Sequence, residues 1–156
     1  MHRAAILLFL AVFLAACSTE TTYQGIRIEG PSKFHEDIIR ALKLIEEHAP
    51  ERYADLCRLV KVIRLTRRRP APGVAAYCDG EQRIHVVSEY YYQWAQQVKV
   101  YPVAFYYMPA IIVHEAVHLL QMNEGREARS PNAELEAIQA EQSLRTRLIQ
   151  WHRVVE

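Results

Sequence analysis

Three residues of the 156-residue chain have the types and spacing to hold a metal ion and use it. They are His114, Glu115 and His118, in the stretch IIVHEAVHLLQMNEG. On a helix, positions i and i+4 lie on one face, so two imidazoles four apart can reach the same ion. Glu115 sits roughly 100° round the helix from His114. It can take a proton from water activated at that ion without displacing a ligand. A zinc ion there would polarise a carbonyl and acidify water, and the carboxylate would pass the proton on to a leaving amine. The chemistry read from these residues is amide hydrolysis. Their setting is apolar, with Ile111, Ile112, Val113, Leu119 and Leu120 as neighbours. Two histidines and a carboxylate buried there need partners. A metal would be one; the other reading is a pair of core histidines bonded to nearby groups.

Structural zinc fills four positions from protein, whereas catalytic zinc takes three and keeps one open. The HExxH segment resembles the zincin metallopeptidases, and within them the group whose third ligand is a Glu on a following helix. The metzincin arrangement does not fit, because its glycine would fall at Gln121 and its third histidine at Glu124. In the Glu-ligand group the second helix often carries ExxxD or ExxAD. Glu134-Leu135-Glu136-Ala137 matches ExxA, and Ile138 stands where an Asp usually bonds the first histidine. The resemblance implies Zn2+ bound by His114, His118 and Glu134, with Glu115 as general base and acid. Glu136 is the rival third ligand. On a straight helix it points about 200° away from Glu134, so the two cannot both serve. Glu141, two turns along, can take over the duty of orienting a histidine. The resemblance also implies an edge strand above the metal, to which substrate adds in extended form. QRIHVV has that character. An oxyanion partner is implied as well, with Tyr106, Tyr107, His152 and Arg129 as candidates.

The elements that would position these groups follow from periodicity and punctuation. SKFHEDIIRALKLIEEH has the 3.6 period, with Phe34, Ile38, Ala41, Leu42 and Ile45 on one face, Ser32 as cap and Pro50 as terminator. His35 and His48 at its ends read as surface residues. Leu59 to Leu65 alternates as a strand. GVAAYCDGEQRIHVV reads as a hairpin with Asp79-Gly80 in a tight turn of positive φ. Residues 88–97 read as a helix capped by Ser88. The HExxH helix begins near Pro109 and ends at Gly125, and the last helix starts at Ser130-Pro131. The expected fold class is α+β, a minimal zincin-like fold. It comprises a small antiparallel or mixed sheet, the HExxH helix and a following Glu-ligand helix.

The N-terminus bears on location. Arg3 precedes an unbroken apolar run from Ala4 to Ala16, too short for an ordinary spanning helix and suited to a signal segment. Its end, LAAC, resembles the lipobox of bacterial lipoproteins. That implies removal of residues 1–16 and lipidation of Cys17 with acyl chains such as palmitate. Ser18, in place of an Asp, implies the outer membrane, facing the periplasm. The alternatives are an ordinary secretory signal or an uncut anchor. Residues 17–31 read as a lipid tether with a short strand near Ile26 to Ile28, and residues 32–156 as a single domain. Without Arg3, 18 Lys+Arg face 18 Asp+Glu, a balance that predicts no general affinity for nucleic acid. Arg64, Arg67, Arg68 and Arg69 read as a solvated loop, with anionic lipid headgroups as the sharper possibility. Cys57 and Cys78 form an even pair in an oxidising compartment, either one disulfide or two buried thiols.

The expected function is zinc-dependent hydrolysis of peptide bonds in a cell-envelope peptide or protein. One alternative is a non-catalytic zincin-fold lipoprotein that binds an envelope protein partner. Another is hydrolysis of a peptidoglycan amide.

Overall fold

The computed structural model describes residues 19–155. The apolar run expected to be a signal segment, and Cys17, expected to be lipidated, lie outside the described residues. In chain order the elements are β1 (Thr19–Tyr23), β2 (Ile26–Gly30), α1 (Ser32–His48), α2 (Pro50–Leu59), β3 (Val62–Thr66), β4 (Ala76–Asp79) and β5 (Arg83–Val87). They are followed by α3 (Ser88–Val100), a 3-10 turn (Pro102–Tyr106), α4 (Tyr107–Asn123) and α5 (Pro131–Val155). The fold is mixed α+β, as expected, with one five-stranded sheet in the order β1-β2-β3-β5-β4. β2, β3 and β5 are parallel neighbours, and β1 and β4 run antiparallel at the two edges.

Register explains how the sheet builds both the core and the site. Ile28 pairs with Ile63, and Ile63 with Ile84. All three are fully buried. The row continues to Cys78 on β4, so that thiol sits on the helix-covered face. Over the β2 end of this row lies the apolar stripe of α1, with Phe34, Ile38, Ala41, Leu42 and Ile45 all at 0% exposure, and α4 covers the β5–β4 end. Burial of each large side chain contributes about 1.5–3 kcal/mol. Gly30 lets Phe34 come close, since a Cβ there would lie 2.6 Å from Phe34 Cδ1.

Several expectations are corrected. Residues 19–30, read mostly as tether, form the β1–β2 hairpin, because burial of Ile26 and Ile28 ties them into the sheet. The tight turn with positive φ at both centres is Gln24-Gly25 (φ 49° and 84°). The β4–β5 connection is instead a three-residue loop, Gly80 to Gln82, with Gln82 at φ 61°. There Asp79 Oδ1 accepts the Glu81 N–H at 3.0 Å. Pro50 opens α2, and Ser32 and Ser88 are first helical residues without a side-chain cap bond. Arg64 lies in β3, half-buried and 3.1 Å from Glu29. His35 is buried, and His48 packs on Trp151.

The segment Pro102–Asn123 is long and apolar enough to cross a membrane, yet 72% of its apolar window is buried inside the protein. It is the central helix of the core, and it carries the histidines.

Candidate metal centre

α4 is apolar almost all round, the pattern of a helix enclosed by its own protein. It stops in a Schellman turn. Gly125, at φ 72°, donates to Met122 O at 3.0 Å, and Arg126 N–H reaches Gln121 O at 2.8 Å. The chain then reverses into α5, where Ser130 Oγ accepts the Ala133 N–H at 3.3 Å, as its cap role predicts. α4 and α5 pack as an antiparallel pair. Contacts along them run His118 with Glu134, His114 with Glu141, Tyr107 with Arg145 and Tyr106 with His152.

This pairing brings His114, His118 and Glu134 together. The two Nε2 atoms are 3.1 Å apart. Glu134 Oε1 is 3.5 Å from His114 Nε2, and its Oε2 is 3.2 Å from His118 Nε2. Each imidazole is held from behind. His114 Nδ1 meets Glu141 Oε2 at 3.1 Å, and His118 Nδ1 meets Gln121 Oε1 at 2.9 Å. The Gln121 amide donates to Ala133 O at 2.9 Å and to Glu136 Oε2 at 3.1 Å. Its orientation is thereby fixed, since the reverse would set its oxygen against two acceptors. His118 Nδ1 must donate, and in the neutral ring the Nε2 lone pair points inward.

Two ring nitrogens and a carboxylate facing one another need a cation or a proton between them. Zinc suits the donor set. Zn–N and Zn–O bonds of about 2.0–2.2 Å imply tetrahedral ligand separations of about 3.3–3.6 Å, close to the spacings observed. Burial alone would lower the His114 pKa, but the bond to Glu141 and the nearby Glu115 and Glu134 carboxylates outweigh it and raise it. Glu141 is held below the usual carboxylate range, first by its bond to His114. It occupies the orienting role that an Asp at position 138 would otherwise fill.

Glu115 is 7% exposed and contributes no atom to the triad. Burial pushes its carboxyl above the ordinary range, against the pull of His114 and His118. The thiol of Cys78, at the end of the isoleucine row, lies close to it. Burial, and then Glu115, push that thiol's pKa up. The two cysteines are not joined. Cys57 is exposed on α2, while Cys78 faces α4. Glu136 is bound to Arg126 Nη1 at 2.7 Å as well as to Gln121, so it supports the centre from outside. Gln121 and Cys78 are the site residues that sequence reasoning missed. The signal for Gln121 was a polar residue three after His118 in an apolar run.

The open edge also differs from expectation. β5 is internal, and β4 is the edge. Val87 N–H donates to Ala75 O. By antiparallel alternation, the backbone groups of Ala76 and Cys78 therefore point away from β5. Among the described residues no strand pairs with them. A pocket of about 360 Å³ lies to one side, lined by Ala75, Tyr90, Trp94, Tyr107 and Ile111. Of the oxyanion candidates, Tyr106 and His152 meet edge to face far along the helix pair. Tyr107 lines this pocket, and Arg129 lines another beside Cys78.

No family profile, characterised protein or solved structure matches the chain. The site speaks for itself: α4 and α5 form a zincin-like metal centre, the His/His/Glu triad typical of catalytic zinc peptidases. It lies beside an edge able to engage a peptide.

Proposed function

We propose that the chain is a zinc-dependent peptidase of the bacterial cell envelope, anchored through lipid on Cys17 and acting on an extended peptide or protein segment. One observation carries the catalytic part: three donors converge within 4.8 Å of one another, with a buried fourth group, Glu115, next to them. When bound, zinc supplies a Lewis acid that polarises the scissile carbonyl and acidifies water. His114, His118 and Glu134 would hold it, with Glu141 and Gln121 fixing the two rings. The backbone of Ala76 and Cys78 would bind substrate as an added strand. Glu115, close to Cys78 of that strand, would take the proton from attacking water and return it to the leaving amine. The envelope placement is supported by the sequence before residue 18 and by the LAAC motif.

The test is Glu115→Gln. It keeps size and much of the hydrogen bonding but cannot accept a proton. The variant should retain zinc and fold and lose at least about 100-fold in kcat on any peptide the wild type cleaves. Full activity in the variant would remove Glu115 from the chemistry. Zinc-loaded wild type that cuts nothing in a mixed peptide library would leave a binding protein. Mass spectrometry of the mature N-terminus tests the anchor, and a plain peptide starting at Ser18 or later would overturn it.

A further inference from the structure

The open edge of β4 runs beside a second, larger trough of about 580 Å³. Its composition is lopsided. Arg64 and Arg83 enter from the sheet's outer face, Arg68 from the β3–β4 loop and Arg129 from the α4–α5 loop, while Asp79 is the one lining carboxylate. That carboxylate is already engaged by Arg83 at 2.9 Å and His85 at 2.7 Å. Arg64 has one partner, Glu29, and its buried Nε has none. Among the described residues, the Arg68 and Arg129 side chains have no carboxylate partner; both residues are exposed.

The trough reaches round the β4 edge to the side that faces α4. Cys78, which lies close to Glu115, lines it, and Met122, one turn beyond His118, lines it too. A chain laid along β4 would pass from the trough towards the metal centre. Guanidinium groups bind carboxylates through charge-assisted, often bidentate hydrogen bonds.

Resting on the peptidase reading of the same site, we propose that this trough determines specificity by receiving a carboxylate of the bound peptide. Arg68 and Arg129 are its recognition residues. The carboxylate is either an acidic side chain near the cleaved bond or the peptide's own C-terminus.

The test separates binding from cleavage. Full-length Glu115→Gln protein, loaded with zinc, is titrated with fluorescein-labelled peptides of Ala, Val and Thr. One carries Glu-Glu near an amidated end, one Gln-Gln near an amidated end, and one Gln-Gln with a free terminal carboxylate. At least one carboxylate peptide should bind about 10-fold or more tighter than the neutral peptide, with the preference weakening in salt. Arg68→Gln with Arg129→Gln should remove most of it. Both positions are exposed, and circular dichroism checks that the fold is intact. Preference for Glu-Glu assigns a side chain, and preference for the free terminus assigns a chain end. Equal binding of all three, or a preference that survives both substitutions, overturns the proposal. So does dependence on these arginines seen only with phosphatidylglycerol vesicles, which would make the trough a lipid contact. Wild type that cuts the peptides without regard to charge sinks this inference and leaves the peptidase. Charge-dependent binding with no cutting does the reverse.

Discussion

Two carboxylates are buried in this protein almost equally, and they differ in what surrounds them. Asp37 on α1 is 5% exposed. It receives Lys33 Nζ at 2.6 Å and the Tyr91 hydroxyl at 2.9 Å, and Tyr91 packs edge-on against Phe34. Every partner is a donor, so the cluster is complete within the chain. In the triad beside Glu115 the balance is inverted. Acceptors face acceptors at His114, His118 and Glu134, while the available donors, the two Nδ1–H groups, point outward to Glu141 and Gln121. Burial alone does not distinguish a structural carboxylate from a functional one. What distinguishes them is whether the chain supplies enough donors. One cluster ties α1 to α3; the other is arranged around something the chain does not provide.

The contrast is open to direct attack. Glu134→Ala should have the largest effect. Removing a ligand should lower zinc affinity by more than the roughly 10–100-fold that loss of an outer partner costs. Zinc should then no longer raise the melting temperature, whereas zinc at a hundred times its Kd should add about 2.7 kcal/mol to the wild type. Glu136→Ala should keep its zinc, and a reversal of these two results would move the ligand to Glu136. Next comes Glu141→Ala, expected to weaken zinc about 10–100-fold by competition titration, without loss of fold. The smallest effect belongs to the other cluster. Tyr91→Phe should cost about 1–3 kcal/mol in denaturant unfolding and leave zinc affinity unchanged. A change in zinc affinity there would mean the two clusters are coupled.

Sequence showed the metal centre more clearly than the sheet. His114, His118 and Glu134 lie on two long helices with strong punctuation at Gly125 and Ser130-Pro131, and helical periodicity alone fixes their faces. The partner of His118 was hidden because Gln121 carries no charge and sits where a different zincin arrangement has glycine. Local alternation alone places the open edge on the wrong arm of its hairpin. Strand order depends on which neighbour each strand finds, and the parallel partners β3 and β5 are brought together by burial of Ile63 and Ile84, which local alternation does not report. The β1–β2 hairpin reads as tether in the sequence because its strands are short and polar on one side. Of the two readings of the cysteines, the free thiols are the ones present, with Cys57 on the outside of α2 and Cys78 facing α4, a placement that their separation in sequence does not report.

The arginine trough has a consequence for how copies of this protein meet. An exposed strand edge will pair with any extended chain, including the same edge of a second molecule, and that is a recognised route to aggregation. β4 offers only four residues, which limits the gain from such pairing. An edge-to-edge dimer would also set Arg68 and Arg129 of one molecule against the like-charged trough of the other, and juxtaposed like charges disfavour association. An arrangement that welcomes an anionic guest therefore turns away its own twin. At a membrane surface, where lipid anchoring would hold many copies close together, that repulsion would help keep each edge free.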